Sequence, residues 1–257
     1  MTQSGGKEPL VSVVLATRDR PSFLVNALEC YRRQTYTQRE LIVVDSGDTF
    51  PADSTAIAGV GGCLIRAPSG LLLGPKLNLG VARAQGTLCH KMDDDDWYAP
   101  TFIETIVATI QATNSRVCHP MLATIAPSLF FDVGRWEIRQ SIQSNVPGGA
   151  LLFAREDWQA YPFRELPRSV DTWFLRDHIR AGSILLPVFA PELFLCVRHG
   201  GDARNRGHTW THNWDGQALE AHLQEQPLYG KAPEGLLPPW ALSFYQTVRR
   251  ELRTSRV

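Results

Sequence analysis

Residues 93–96 are four consecutive aspartates, set between Leu88-Cys89-His90-Lys91-Met92 and Trp97-Tyr98-Ala99-Pro100. Adjacent carboxylates repel one another, so a folded chain keeps them at the end of a buried strand only where a cation or a solvated loop offsets the cost. A bound divalent metal would do so, and the carboxyl ends of strands are where an open α/β sheet places its ligands. The tetrad therefore points to metal-assisted chemistry on a phosphate-bearing substrate, carried by an α/β frame.

The first hundred residues supply that frame. Val11 to Ala16 is a β-branched run ending in the polar Thr17-Arg18-Asp19-Arg20, which reads as a buried strand and a loop. Pro21 suits the first turn of a helix whose apolar face is Leu24, Ala27, Leu28 and Tyr31. Leu41 to Val44 is a second strand, stopped by Asp45-Ser46-Gly47-Asp48, and Gly61 to Arg66 is a weaker third. Leu77, Gly80, Val81 and Ala84 mark a short helix closed by Gly86, and Thr87 to Met92 is the strand that delivers the tetrad. Pro100 opens the next helix, with Ile103, Ile106, Val107 and Ile110 inward. This alternation predicts a parallel, doubly wound sheet whose first, second and fourth loops share one edge.

The second half is less regular. Met121 to Phe131, Arg135 to Arg139 and Gly149 to Ala154 are expected as strands of a mixed sheet, and Asp171 to Ala181 as a helix ended by Gly182. Ile184 to Val188 and Leu193 to Val197 add further extended runs. Beyond His199 a polar, glycine-containing stretch runs to Gly216 and has the composition of a lid. A Pro-rich segment then leads to an amphipathic helix with Ala241, Phe244, Tyr245, Val248 and Leu252 inward.

Composition narrows the classes. The 257 residues are 44% hydrophobic and 20% charged, which suits a globular core and excludes disorder. Lys plus Arg equals Asp plus Glu at 26 each, so nothing recommends nucleic acid as a partner. No run of eighteen apolar residues predicts a membrane span. The five cysteines show no ligand spacing, and the first residues are polar; reduced thiols in a cytoplasmic protein are expected.

Several segments together resemble the family 2 nucleotide-sugar glycosyltransferases of the GT-A fold, over roughly residues 10 to 200. They are Val-Ser-Val-Val-Leu-Ala-Thr-Arg-Asp-Arg at 11–20, Leu-Ile-Val-Val-Asp-Ser-Gly-Asp at 41–48, Lys-Leu-Asn-Leu-Gly at 76–80, Met-Asp-Asp-Asp-Asp-Trp-Tyr-Ala-Pro at 92–100, Gly-Gly-Ala-Leu-Leu-Phe at 148–153, and Asp171-Thr-Trp-Phe174. The resemblance implies a flexible segment 1–9, a catalytic domain 10–200 with a nucleotide-sugar half (10–100) and an acceptor half (101–200), and a lid with a C-terminal helix in 201–257. It implies a nucleoside diphosphate sugar donor, UDP-sugar favoured, and transfer with inversion to a hydroxyl or amine of a small molecule or glycan.

The resemblance also assigns roles. Thr17 and Arg18 would lie against base and ribose, and Asp45 would accept a hydrogen bond from the base, unless it is only a turn residue. Asp48 departs from the family pattern. Lys76 would contact the diphosphate at a helix start, against the alternative of a solvated lysine. Asp93 would touch ribose or metal, Asp95 would be the main ligand of Mn²⁺ or Mg²⁺, Asp94 would belong to the donor site, and Asp96 would face the sugar. His199 would complete the metal shell, with His208 competing for that place. Asp171 would be the general base, its preceding acid replaced by Val170, against the alternative of a helix cap. Trp97 and Trp173 would stack in the acceptor cleft or simply be core, as would Trp210 and Trp214.

Two rival readings remain at this level. A nucleotidyltransferase would need a Gly-rich, Lys- or Arg-bearing triphosphate loop, which the chain lacks. A non-catalytic nucleotide-sugar-binding protein draws support from Val170. An oxidoreductase is disfavoured because no GxGxxG follows the first strand.

Overall fold

A computed structural model describes residues 8–114, 121–141, 146–199 and 225–254. The expected lid, together with His208, Trp210 and Trp214, lies outside the described residues, as do residues 1–7.

Strand β1 (Val11–Thr17) is buried along its whole length, as an unbroken β-branched run requires of a central strand covered on both faces. It is flanked by β2 (Arg39–Asp45) and β4 (Leu88–Met92), both parallel to it, and β3 (Cys63–Arg66) extends the sheet beyond β2. Helix α1 (Pro21–Arg32) follows β1 with Pro21 in its first turn, burying Leu24, Ala27, Leu28 and Tyr31. Helices α2 (Ser54–Gly59) and α3 (Leu73–Arg83) complete the crossovers, and α4 (Phe102–Asn114) follows the tetrad with Ile103, Ile106, Val107 and Ile110 buried. The loops after β1, β2 and β4 open on one edge, as the alternation predicts.

The parallel order stops at β4. Strand β9 (Leu152–Ala154) inserts antiparallel between β4 and β6 (Met121–Ile125), and β10 (Ile184–Val188) closes the edge parallel to β6. The resulting order is β10-β6-β9-β4-β1-β2-β3. A second sheet, β5-β11-β7-β8, is built from Trp97–Tyr98, Phe194–Arg198, Leu129–Asp132 and Glu137–Gln140. Helices α5 (Arg155–Ala160), α6 (Val170–Arg180) and α7 (Pro239–Thr254) pack around the two sheets.

Two expectations change. The predicted single strand 121–131 is two strands in different sheets, because Pro127 has no N–H for a ladder and Ala126 donates instead to Val188. The predicted strand from Gly149 begins with a 3-10 turn, Gly148–Ala150, so pairing starts at Leu152. The helix boundary at Gly182 holds, with φ +95° just past α6. Buried Ala241, Tyr245 and Val248 of α7 join the same core as β1, β2 and α4. Burial pushes the Cys30 and Cys89 thiols up to about 12, as inert core thiols. Among the described residues no helix is long and apolar enough to cross a membrane.

Candidate active site

The tetrad leaves β4 with every carboxylate held by the protein, Asp94 and Asp95 sharing Arg20. Asp93 meets the ammonium of Lys91, with both oxygens 2.8 Å from Nζ. Asp94 accepts from Thr17 Oγ1 at 2.8 Å and from Arg20 Nη1 at 2.5 Å. Asp95 Oδ2 lies 2.9 Å from Arg20 Nη2 and 3.1 Å from His199 Nε2. Asp96 accepts from the backbone N–H of Val197 at 2.8 Å, tying the tetrad to β11. The repulsion that the sequence poses is therefore met within the protein, by two cations, an imidazole and a backbone amide.

Arg20 occupies the position before α1 where a side chain would cap the helix, yet it makes no capping bond. Its guanidinium turns inward, nearly excluded from water, and also stands 3.0 Å from His199 Nε2 and over the Phe23 ring. Burial opposes the charge, but Asp94 and Asp95 overcome it and raise the Arg20 pKa. Burial likewise raises the Asp95 carboxyl, and Arg20 and His199 reverse that to leave it well below its usual range. Asp96 makes no ion pair among the described residues; burial, with Asp95 and Asp93 nearby, drives its pKa well up against a smaller opposing effect of Arg198.

Lys91 lies inside β4 with its side chain 1% exposed, and its ammonium also reaches Asp171 Oδ2 at 3.3 Å. Burial again opposes the charge, and Asp171 and Asp93 raise the lysine pKa against it. The turn at Gly148 and Gly149 makes this approach possible. A Cβ at Gly148 would sit 2.1 Å from Asp171 Oδ2, and one at Gly149 would sit 2.4 Å from Asp96 Oδ2 and 3.0 Å from Asp93 Oδ2. Tyr98, whose hydroxyl accepts from Asp93 N at 2.9 Å and donates to Gly149 O at 3.0 Å, fastens the same turn to the tetrad.

The other residues singled out in the sequence fall into two groups. Thr17, Asp45 and Lys76 line the edge with the tetrad. Asp45 is buried and accepts from Gly47 N and Ala52 N, both at 2.8 Å, and from Arg66 Nη1, so it holds its own loop as well as facing the edge. Lys76 is no solvated lysine: it is 3% exposed and donates to Thr17 O at 3.3 Å, and burial lowers its pKa. Arg18 is exposed beside Asp19.

Three acceptor-side expectations are corrected. Asp96 is 2% exposed and points at Val197 rather than at open space. Trp97 is core, because the tetrad's bend carries it into β5 beneath the edge. Trp173 follows Asp171 by two residues, which on a helix turns it to the far face; it lies there under the guanidiniums of Arg164, Arg176 and Arg180 at 4.5, 5.3 and 6.0 Å. Arg20, Lys91 and Tyr245, whose hydroxyl donates to Asp95 O at 3.1 Å, were not singled out from the sequence.

The residues fit a divalent cation in part. Among the described residues no three His, Cys, Asp or Glu side chains gather as a ligand set. Asp95 and His199 do converge, and a carboxylate with an imidazole is a donor pair that suits Mn²⁺.

The described residues thus form a mixed α/β sheet whose acidic strand end lies beside a separate carboxylate, Asp171. Residues 12–173 match the family described as glycosyl transferase family 2, and the chain belongs to that family. Among solved structures, S. aureus TarS 1-349 in complex with UDP-GlcNAc superposes with a TM-score of 0.56 at 14% identity, over 77% of this chain and 61% of that one. The mannosyltransferase PcManGT from Pyrobaculum calidifontis, in complex with GDP-Man and Mn²⁺, gives 0.56 at 16% identity, over 96% and 76%. TarS itself gives 0.55 at 13% identity, and this chain covers 37% of its length. These likenesses establish the GT-A fold. No curated protein matches the chain by sequence.

Proposed function

We propose that this glycosyltransferase moves a sugar from a nucleoside diphosphate sugar, UDP-sugar favoured, to a hydroxyl or amine acceptor with inversion at the sugar carbon. The observation that supports the reading is that one ammonium contacts both Asp93 and Asp171, so a second carboxylate lies beside the tetrad without belonging to it.

In this mechanism Thr17, Arg18 and Asp45 hold base and ribose, and Lys76 and Asp94 complete the donor floor. Asp95 and His199, with Asp93, would hold Mn²⁺ or Mg²⁺, which would neutralise charge on the departing nucleoside diphosphate. Asp171 takes the proton from the acceptor as the new bond forms. The tetrad lies on the leaving-group side, so it does not serve as that base. Asp96 braces β11 and Trp97 the core. The mannosyltransferase with GDP-Man and Mn²⁺ supports a metal-assisted reading and makes GDP-sugars the competing donor class.

The test is a panel of nucleoside diphosphate sugars with Mn²⁺ and varied acceptors, following both transfer and donor hydrolysis. Asp95→Ala is expected to lower turnover about 1,000-fold, the scale of losing transition-state charge stabilisation. Absence of both reactions with every donor, together with donor binding indifferent to Asp95→Ala, would overturn the proposal.

A further inference from the structure

We infer that Lys91 is the positioning residue of the proton-transfer step, fixing the Asp171 carboxylate beside the donor; this rests on Asp171 being the base. A lysine that only filled space inside a strand would be replaced by an apolar side chain at no cost, since an unpaired buried ammonium is strongly unfavourable. This one is fully used. An ammonium has three N–H donors, and three carboxylate oxygens surround it, both of Asp93 at 2.8 Å and Oδ2 of Asp171 at 3.3 Å.

The helix cap of α6 does not hold Asp171. Its N-cap residue, Ser169, is in the left-handed region at φ 57° and makes no side-chain capping bond. Asp171 is contacted across the site by Lys91, 80 positions earlier in the chain. Gly148 is the complement of that contact, since any Cβ there would occupy the space of the Asp171 carboxylate. Because the same ammonium holds Asp93, the spacing between the donor side and the base is set by one group. A donor that draws Asp93 toward itself leaves Asp171 as the ammonium's remaining partner.

The experiment is a double-mutant cycle on the full chain, with the donor and acceptor that the panel identifies. Lys91→Met is expected to lower transfer turnover about 100-fold, the usual share of a general base. In an Asp171→Asn background the same change is expected to cost less than about 3-fold more, because the two act as one unit. Methylammonium added to Lys91→Ala is expected to restore turnover by about 10-fold, which repair of a folding defect would not do. Lys91→Gln, read against melting temperature, covers the case in which the methionine variant does not fold.

Losses that multiply in the double variant, or turnover per folded molecule that stays normal in both Lys91→Met and Lys91→Gln, would remove this role for Lys91 and leave Asp171 as base. Normal transfer by Asp171→Asn would instead remove the base reading and this inference together.

Discussion

The two faces of strand β4 carry neighbouring buried residues with opposite electrostatic fates. His90 faces Tyr98 and Phe102, with ring centroids at 5.4 and 5.0 Å, and its Nδ1 lies 3.2 Å from Leu151 O. Burial there drives its pKa down to about 3, so the imidazole is neutral. Lys91, one residue on and turned to the other face, pays the same burial penalty and keeps its charge, because Asp171 and Asp93 stand against it. Burial sets the cost of ionisation on both faces, and the presence of a counter-charge decides whether it is met.

The largest way to break that comparison is to remove a counter-charge from the acidic face. Arg20→Met removes the guanidinium from buried Asp94 and from Asp95, which should cost about 3–5 kcal/mol of unfolding free energy by urea titration. The apolar face can be challenged with protons. The folded pKa of His90 lies below its ordinary 6.5, so the unfolded chain binds more protons between the two values. The stability that neutral His90 confers is complete above about pH 6.5 and lost as pH falls toward its folded value, by roughly 3 kcal/mol at pH 4. Denaturation curves at pH 7, 5 and 4 should show this slope, and His90→Leu should flatten it.

Gly148→Ala sharpens the comparison by moving a partner without touching either buried residue. Its Cβ would displace the Asp171 carboxylate, lowering transfer about 100-fold while donor affinity stays within about 3-fold, checked by calorimetry and turnover. The smallest effect is expected of Tyr245→Phe, which removes the hydrogen bond to the Asp95 carbonyl and the longer one accepted from Asn26 Nδ2, and should cost about 1 kcal/mol in the same urea titration.

The sequence made the frame legible wherever periodicity and termination agree. The strands ending at Thr17, Asp45 and Met92 are apolar runs stopped by polar loops, and all three deliver residues to one edge. The helix that starts at Val170 and carries Asp171 was legible for the same reason. The counter-ions were not. Arg20 meets its aspartates 74 and 75 residues away, Lys91 meets Asp171 across 80, and Tyr245 meets Asp95 across 150, distances over which no local pattern reports. One signal was available: a lysine within the apolar run Leu88 to Met92 must either break the strand or find an anion. Asp96 and Trp173 were misplaced for a related reason. Their types suit a sugar site, but a backbone amide from β11 holds one and the turn of α6 carries the other away.

The bond from Tyr245 to the Asp95 carbonyl also bears on when the site comes into being. The tetrad and both of its cations lie in the first hundred residues, so a nascent chain contains them long before α7 is made. Until that helix emerges, the pocket that Tyr245 fills beside α1 and the tetrad stands open, and the aspartate loop lacks its last tether. Synthesis runs from the N-terminal end, and partly formed domains wait for the elements that close them. The acidic edge is thus encoded early in the chain and tethered by a residue made late.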